Sequence, residues 1–315
     1  MTYDVSPLFS PLDIGGKTLR NRIVMPPMVV NRDLGGAAAR EWYGRRAAGG
    51  VGLVIIEATS VADVGGRWSA DDLRPLVDAI HDGGALAAIQ LFPGVRGDPI
   101  VPADLSLDDI DVLINNYHIA AQICADAGFD GVQPHGAHGY LLNQFFSPLK
   151  NTRTDPYGGS AENRMRLALR IVRTMRGIAD AAGMLILYRH TPVGPGYGID
   201  DSVELAQALI DAGVDILDIS PASDAAPGDR AAPFVPLGVP VIAVNLLDEP
   251  ARALEVLNEQ RAQLIAVGRG LIADPDWAIK VREDRLDDLV TCIRCDSCHA
   301  DLRRGVPVGC VQWPD

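Results

Sequence analysis

Ser106-Leu107-Asp108-Asp109 opens a long amphipathic run that reaches Ala127-Gly128, and Gly131-Val132-Gln133-Pro134-His135 follows at once. A serine at an N-cap with acids behind it starts a helix, and glycine just past the last periodic residue stops one. The short run after it lacks polar alternation, as a strand buried on both faces of a parallel sheet should. The stretch therefore reads as one helix feeding one buried strand.

The same unit recurs in both directions. Strands are expected at Ile23–Met28, Val51–Ala58, Ala85–Leu91, Gly131–His135, Met184–Arg189, Val214–Ser220, Val239–Val244 and Gln263–Gly268. Helical periodicity lies between them, as in Ser202–Ala212 with Val203, Leu205, Ala206, Leu209 and Ile210 apolar before Gly213. Eight such units in under 300 residues fit an α/β (β/α)₈ TIM barrel. A doubly wound open sheet would carry G-x-G-x-x-G after its first strand. Here Pro27-Met28-Val29-Val30-Asn31 stands in that place. The barrel is expected over residues 1–285, with a short cysteine-rich segment over 286–315.

The bulk properties narrow the function. The 315 residues are 48% hydrophobic and 22% charged, with 28 Lys and Arg against 41 Asp and Glu, a net charge of −13. That excess of acid argues against nucleic acid or an anionic membrane surface as a partner. No signal peptide and no membrane span is apparent, so a cytoplasmic setting is expected.

Gln90, His135, Arg189, Ser220, Asn245 and Arg269 fall at or just beyond the C-terminal ends of the expected strands, where barrel active sites are built. One strand empties into His135-Gly136-Ala137-His138-Gly139-Tyr140. Two imidazoles three apart can both donate to one oxygen and stabilise charge developing there. A tyrosine beside them can deliver a proton to a carbon turning carbanionic. Spacing alone leaves equal room for a metal site or for histidines that satisfy loop carbonyls.

Beyond that loop run Leu141-Leu142-Asn143-Gln144-Phe145-Phe146-Ser147-Pro148, Asn151-Thr152-Arg153-Thr154-Asp155-Pro156-Tyr157-Gly158-Gly159-Ser160 and Glu162-Asn163-Arg164. This pattern resembles the Old Yellow Enzyme family of FMN-dependent ene-reductases. Within it, the chain resembles the cluster-bearing branch of 2,4-dienoyl-CoA reductase and trimethylamine dehydrogenase. Leu8-Phe9-Ser10-Pro11-Leu12, Leu19-Arg20-Asn21-Arg22-Ile23-Val24-Met25, Val267-Gly268-Arg269 and Asp274-Pro275 extend the likeness over nearly the whole chain.

The resemblance implies a role for each matching residue. His135 and His138 would anchor a substrate carbonyl, and Tyr140 would protonate the neighbouring carbon. Gln90 would meet the flavin pyrimidine edge, and Arg189 would stand beside the ring atoms where reduction places negative charge. Pro27, Met28 and Ala58 would contact the ring, with Gly268 and Arg269 at the phosphate. The implied reaction takes NADH or NADPH as electron donor and reduces a C=C bond conjugated to a carbonyl. A dehydrogenase acting on an amine or alicyclic substrate, or an electron-transfer subunit, is the alternative.

Several positions depart from the family. Pro134 replaces an aliphatic residue before His135, and Asn245 replaces a glycine at the phosphate. Phe92-Pro93-Gly94-Val95-Arg96 and Pro221–Pro236 replace the usual pocket loops. Val29 stands where some relatives carry a cysteine, so covalent attachment of FMN is not expected through it.

Cys124 lies alone, whereas Cys292, Cys295, Cys298 and Cys310 form C-x₂-C-x₂-C-x₁₁-C. Thiolates so spaced can ligate an iron–sulfur cluster or zinc. The resemblance favours a [4Fe-4S] cluster, and with it a separate electron-transfer protein as partner. A homo-oligomer is left open.

Overall fold

In a computed structural model, the described residues are 4–94, 100–222 and 230–313; Val95, Arg96 and part of the Pro221–Pro236 loop lie outside them. A hairpin, β1 (Leu12–Ile14) with β2 (Lys17–Leu19), precedes the barrel. Its two-residue turn uses Gly15 at φ +55° and Gly16 at φ +79°. A Cβ on Gly15 would come within 2.6 Å of Leu185, so both backbone conformation and space demand glycine there.

Eight parallel strands then close in chain order: β3 (Ile23–Met25), β4 (Leu53–Ser60), β5 (Leu86–Phe92), β6 (Gly131–Gly136), β7 (Leu185–His190), β8 (Ile216–Ile219), β9 (Val241–Ala243) and β10 (Leu264–Ala266). The β10–β3 pairing completes the ring. The expected (β/α)₈ barrel is present. Strand limits differ for local reasons. β3 stops at Met25, because Pro26 and Pro27 have no N–H to give the ladder. A register shift between Ile56 and Thr59 marks a bulge, and it sets Ala58 on the rim.

The helix Leu107–Ala127 has the expected limits. Ser106 Oγ accepts from Asp109 N at 3.1 Å, the Asp109 carboxylate accepts from Ser106 N at 2.9 Å, and Gly128 closes it at φ +92°.

Inside the barrel, an apolar lower layer contains Ile14, Leu19, Leu53, Leu185, Leu187 and Leu264, so the hairpin plugs that end. Above it the inward positions turn polar. Ala88 and Gln90, Gln133 and His135, Leu187 and Arg189, and Ile216, Asp218 and Ser220 alternate along their strands and so share inner faces.

The final segment runs back over the C-terminal ends of the strands. Val308 N donates to Val30 O at 3.0 Å, Arg32 Nη1 to Val308 O at 3.0 Å, and Trp313 Nε1 to Ala273 O at 3.0 Å. The Trp313 ring packs 5.8 Å from that of Trp42, which lies between the guanidinium groups of Arg32 and Arg46. Among the described residues, no helix is long and apolar enough to cross a membrane.

Candidate active site

β6 delivers His135 at its end, and the following loop carries His138 in a left-handed conformation, φ +59°. That backbone is costly for a non-glycine residue, and it brings the second imidazole back over the first. The His135 and His138 rings lie 5.4 Å apart at 72°, and the Tyr140 ring is 4.9 Å from His135. Tyr140 is half-exposed at the start of the helix Leu141–Phe146, edge-on to Phe92 at 6.3 Å.

The surroundings set the protonation of the two histidines. Burial, helped by His138 and Arg189, pushes His135 well below its ordinary pKa; burial and Arg189 take His138 down to about 3. Both are therefore neutral hydrogen-bonding groups at pH 7, not cations. Arg189 Nη2 donates to Ser220 Oγ at 2.9 Å, and Ser220 Oγ lies 2.9 Å from His138 Nε2. With Ser220 receiving from Arg189, its own proton is free to go to Nε2. This arrangement favours the His138 proton on Nδ1. His135 Nδ1 and Arg189 Nε are buried without hydrogen-bond partners. Such groups are expensive to leave unmatched.

A cleft of about 310 Å³ opens beside them, lined by Met28, His138, Arg189, Asn245, Gly268 and Arg269 among others. Asn245 and Leu246 stand at φ +113° and +55°, so the chain keeps a glycine-type backbone where its sequence departs from glycine. Ala58 lines a neighbouring cavity of about 330 Å³ with Asp33, Glu57, Trp68 and Phe92. Gln90 is buried and does not line the first cleft; neither do His135, Tyr140 and Pro27. Arg294 and His299 of the cysteine segment also reach that cleft.

Gln133 and Asp218 are the members of this constellation that sequence reasoning passed over. Both are fully enclosed, and Asp218 has its pKa raised by burial against the pull of Arg189 and Gln133. Their signal is legible in retrospect: each is a polar residue inside a strand that otherwise reads as apolar.

Cys292, Cys295, Cys298 and Cys310 line one small hollow, together with Arg269 and Ala273. Burial raises the Cys298 pKa, with Cys292 and Cys295 adding to the rise and Arg269 opposing it. The donor set suits a thiolate-ligated group. Yet among the described residues no three His, Cys, Asp or Glu side chains are arranged to hold a metal ion. Cys124 is buried in its helix, apart from the four.

Known proteins share this architecture. NADH oxidase of Thermoanaerobacter brockii is 34% identical over 92% of this chain and 52% of its own length. The old yellow enzyme homologue of Zymomonas mobilis superposes with a TM-score of 0.78 at 26% identity, covering 88% of this chain and 92% of that one. Histamine dehydrogenase of Rhizobium sp. 4-9 gives 0.85 at 25% identity over 99% of this chain and 53% of that one. The chain thus spans about half the length of the first and third relatives. Its sequence matches NADH:flavin oxidoreductase / NADH oxidase over residues 7–100, 94–225 and 235–288, and the chain belongs to that family.

Proposed function

We propose that this chain is an FMN-dependent oxidoreductase that reduces a C=C bond conjugated to a carbonyl. The observation that carries the reading is the grouping of His135, His138 and Tyr140 beside a cleft floored by Arg189. Gln90 and Arg189 would hold the flavin pyrimidine edge, Met28, Pro27 and Ala58 the ring, and Gly268, Arg269 and the Asn245 backbone the phosphate. FMN bound there supplies hydride transfer from NADH or NADPH to the substrate's β-carbon. The two neutral imidazoles present N–H groups to the substrate oxygen and stabilise the enolate charge that develops on it. Tyr140 hands its phenolic proton to the α-carbon and, being half-exposed, regains one from solvent.

A panel of donors and acceptors tests this. The FMN-loaded protein should be reduced by NADH or NADPH and reoxidised by a cyclic enone. A colourless protein that refuses added FMN defeats it.

A second reading is favoured by the likeness to histamine dehydrogenase over 99% of the chain and by four thiols on one hollow. In it the chain oxidises an amine or alicyclic substrate. Cys292, Cys295, Cys298 and Cys310 would hold a [4Fe-4S] cluster, supplying one-electron transfer between flavin and a separate protein. Anaerobic purification tests the cluster: about four irons and matching sulfide per chain support it, whereas stoichiometric zinc or metal-free thiols refute it.

A further inference from the structure

Gln90 and Arg189 stand on different strands, yet an unbroken run of buried polar contacts joins them. Gln90 Nε2 donates to Gln133 Oε1 at 2.7 Å, and Gln133 Nε2 donates to Asp218 Oδ2 at 3.1 Å. Asp218 Oδ2 lies 3.6 Å from Arg189 Nε, an ion-pair distance without a hydrogen bond. The run continues through Arg189 Nη2 and Ser220 Oγ to His138. Gln133 and Asp218 are enclosed entirely, so neither meets a ligand in the cleft. A barrel interior gains nothing from an enclosed carboxylate and amide when aliphatic side chains would fill the same layer, so their presence needs another explanation.

The direction of the hydrogen bonds supplies one. The Gln133 carbonyl accepts from Gln90, which leaves its amide nitrogen to serve Asp218. One N–H of Gln90 is thereby committed, and its carbonyl and second N–H are turned to a fixed outlook. At the other end the Asp218 carboxylate faces the guanidinium, with Oδ1 lacking any partner. It therefore offsets part of the positive charge that Arg189 presents toward the cleft.

We propose that Gln133 and Asp218 are positioning residues for the flavin site. Gln133 fixes how Gln90 is offered to the ring. Asp218 holds Arg189 and moderates how strongly that cation favours reduced, negatively charged flavin. The inference rests on the reading that Gln90 and Arg189 hold FMN.

The test uses FMN-loaded protein and measures two quantities: affinity for oxidised FMN, and the ratio of affinities for reduced and oxidised FMN obtained from the midpoint potential. Asp218→Asn keeps the size and an acceptor for Gln133 but removes the charge. It should retain FMN and raise the reduced-over-oxidised ratio about tenfold, equivalent to about 30 mV for a two-electron couple. In an Arg189→Gln background the same substitution should change nothing, because Asp218 acts through Arg189. An unchanged ratio in a variant that still holds FMN overturns the role of Asp218.

Gln133→Met covers the case in which Asp218→Asn does not fold. It should weaken oxidised FMN about tenfold, by as much as Gln90→Ala, with the double variant no worse than either single one. Wild-type affinity in Gln133→Met overturns the role of Gln133. If Gln90→Ala and Arg189→Gln themselves leave FMN affinity untouched, the flavin reading falls and takes this inference with it. That pattern is distinct from failure of the two positioning residues alone.

Discussion

Two buried aspartates stand at opposite ends of the barrel, and the contrast between them separates stability from function. Asp130 precedes β6 at the N-terminal end. It accepts from Lys17 Nζ at 2.8 Å and Ala87 N at 2.8 Å, and meets His81 Nε2 at 2.7 Å. Burial alone would raise its pKa, but those contacts outweigh burial and leave it lowered. Asp218, toward the C-terminal end of β8, keeps one oxygen unpartnered, and its pKa is raised by burial. At the lower end both oxygens of Asp130 are engaged. At the upper end His135 Nδ1 and Arg189 Nε lack partners beside the cleft, and Asp218 Oδ1 lacks one behind Arg189.

Substitutions at the two ends should therefore fail differently. The largest effect is expected at the top: Tyr140→Phe should leave flavin reduction intact and slow reoxidation by an enone ~10²–10⁴-fold in single-turnover kinetics. His138→Ala should weaken a phenolate ligand, whose oxygen mimics the enolate, by roughly 10–100-fold in a spectral titration. At the bottom, Asp130→Asn should lower unfolding free energy by about 2 kcal/mol in denaturant melts while FMN affinity stays unchanged. A loss of flavin affinity in that variant would break the comparison.

The smallest effect is on the pH dependence of stability. The contact with Asp130 raises the His81 pKa above its ordinary value. A raised folded-state pKa gives stabilisation that is complete below about pH 6.5 and is lost as pH climbs through the folded value. Asp130 works in the other direction: its contribution is present above about pH 3.9 and is lost as pH falls through its lowered pKa. Wild-type stability should then decline modestly above neutrality, and Asp130→Asn should flatten that decline. An equal slope in both proteins would detach His81 from Asp130.

Much of this was legible in the sequence, for reasons that differ by residue. Ser106 and Gly128 mark helix limits through local hydrogen bonding and backbone conformation, so the Leu107–Ala127 helix could be read without tertiary knowledge. Apolar runs revealed the eight strands, but not their true ends, because Pro26 cuts β3 and a bulge shifts β4 against β5. The hairpin Leu12–Leu19 escaped notice: its strands are three residues each, too short for a period to emerge. Gln90, His135 and Arg189 were visible by their place at strand ends. Gln133 and Asp218 were not, since their pairing joins residues 85 positions apart that only the packing of β6 and β8 on either side of β7 brings together.

The most direct test of the account is flavin binding by wild type and by one variant from each end. Wild-type protein should take up one FMN per chain and release it on acid precipitation. Arg189→Ala should bind at least about tenfold more weakly, because a charge-assisted contact is lost. Asp130→Asn should bind as wild type does. Failure of wild type to bind FMN, or affinity indifferent to Arg189, would contradict the claim that Arg189 at the C-terminal end of the barrel holds it.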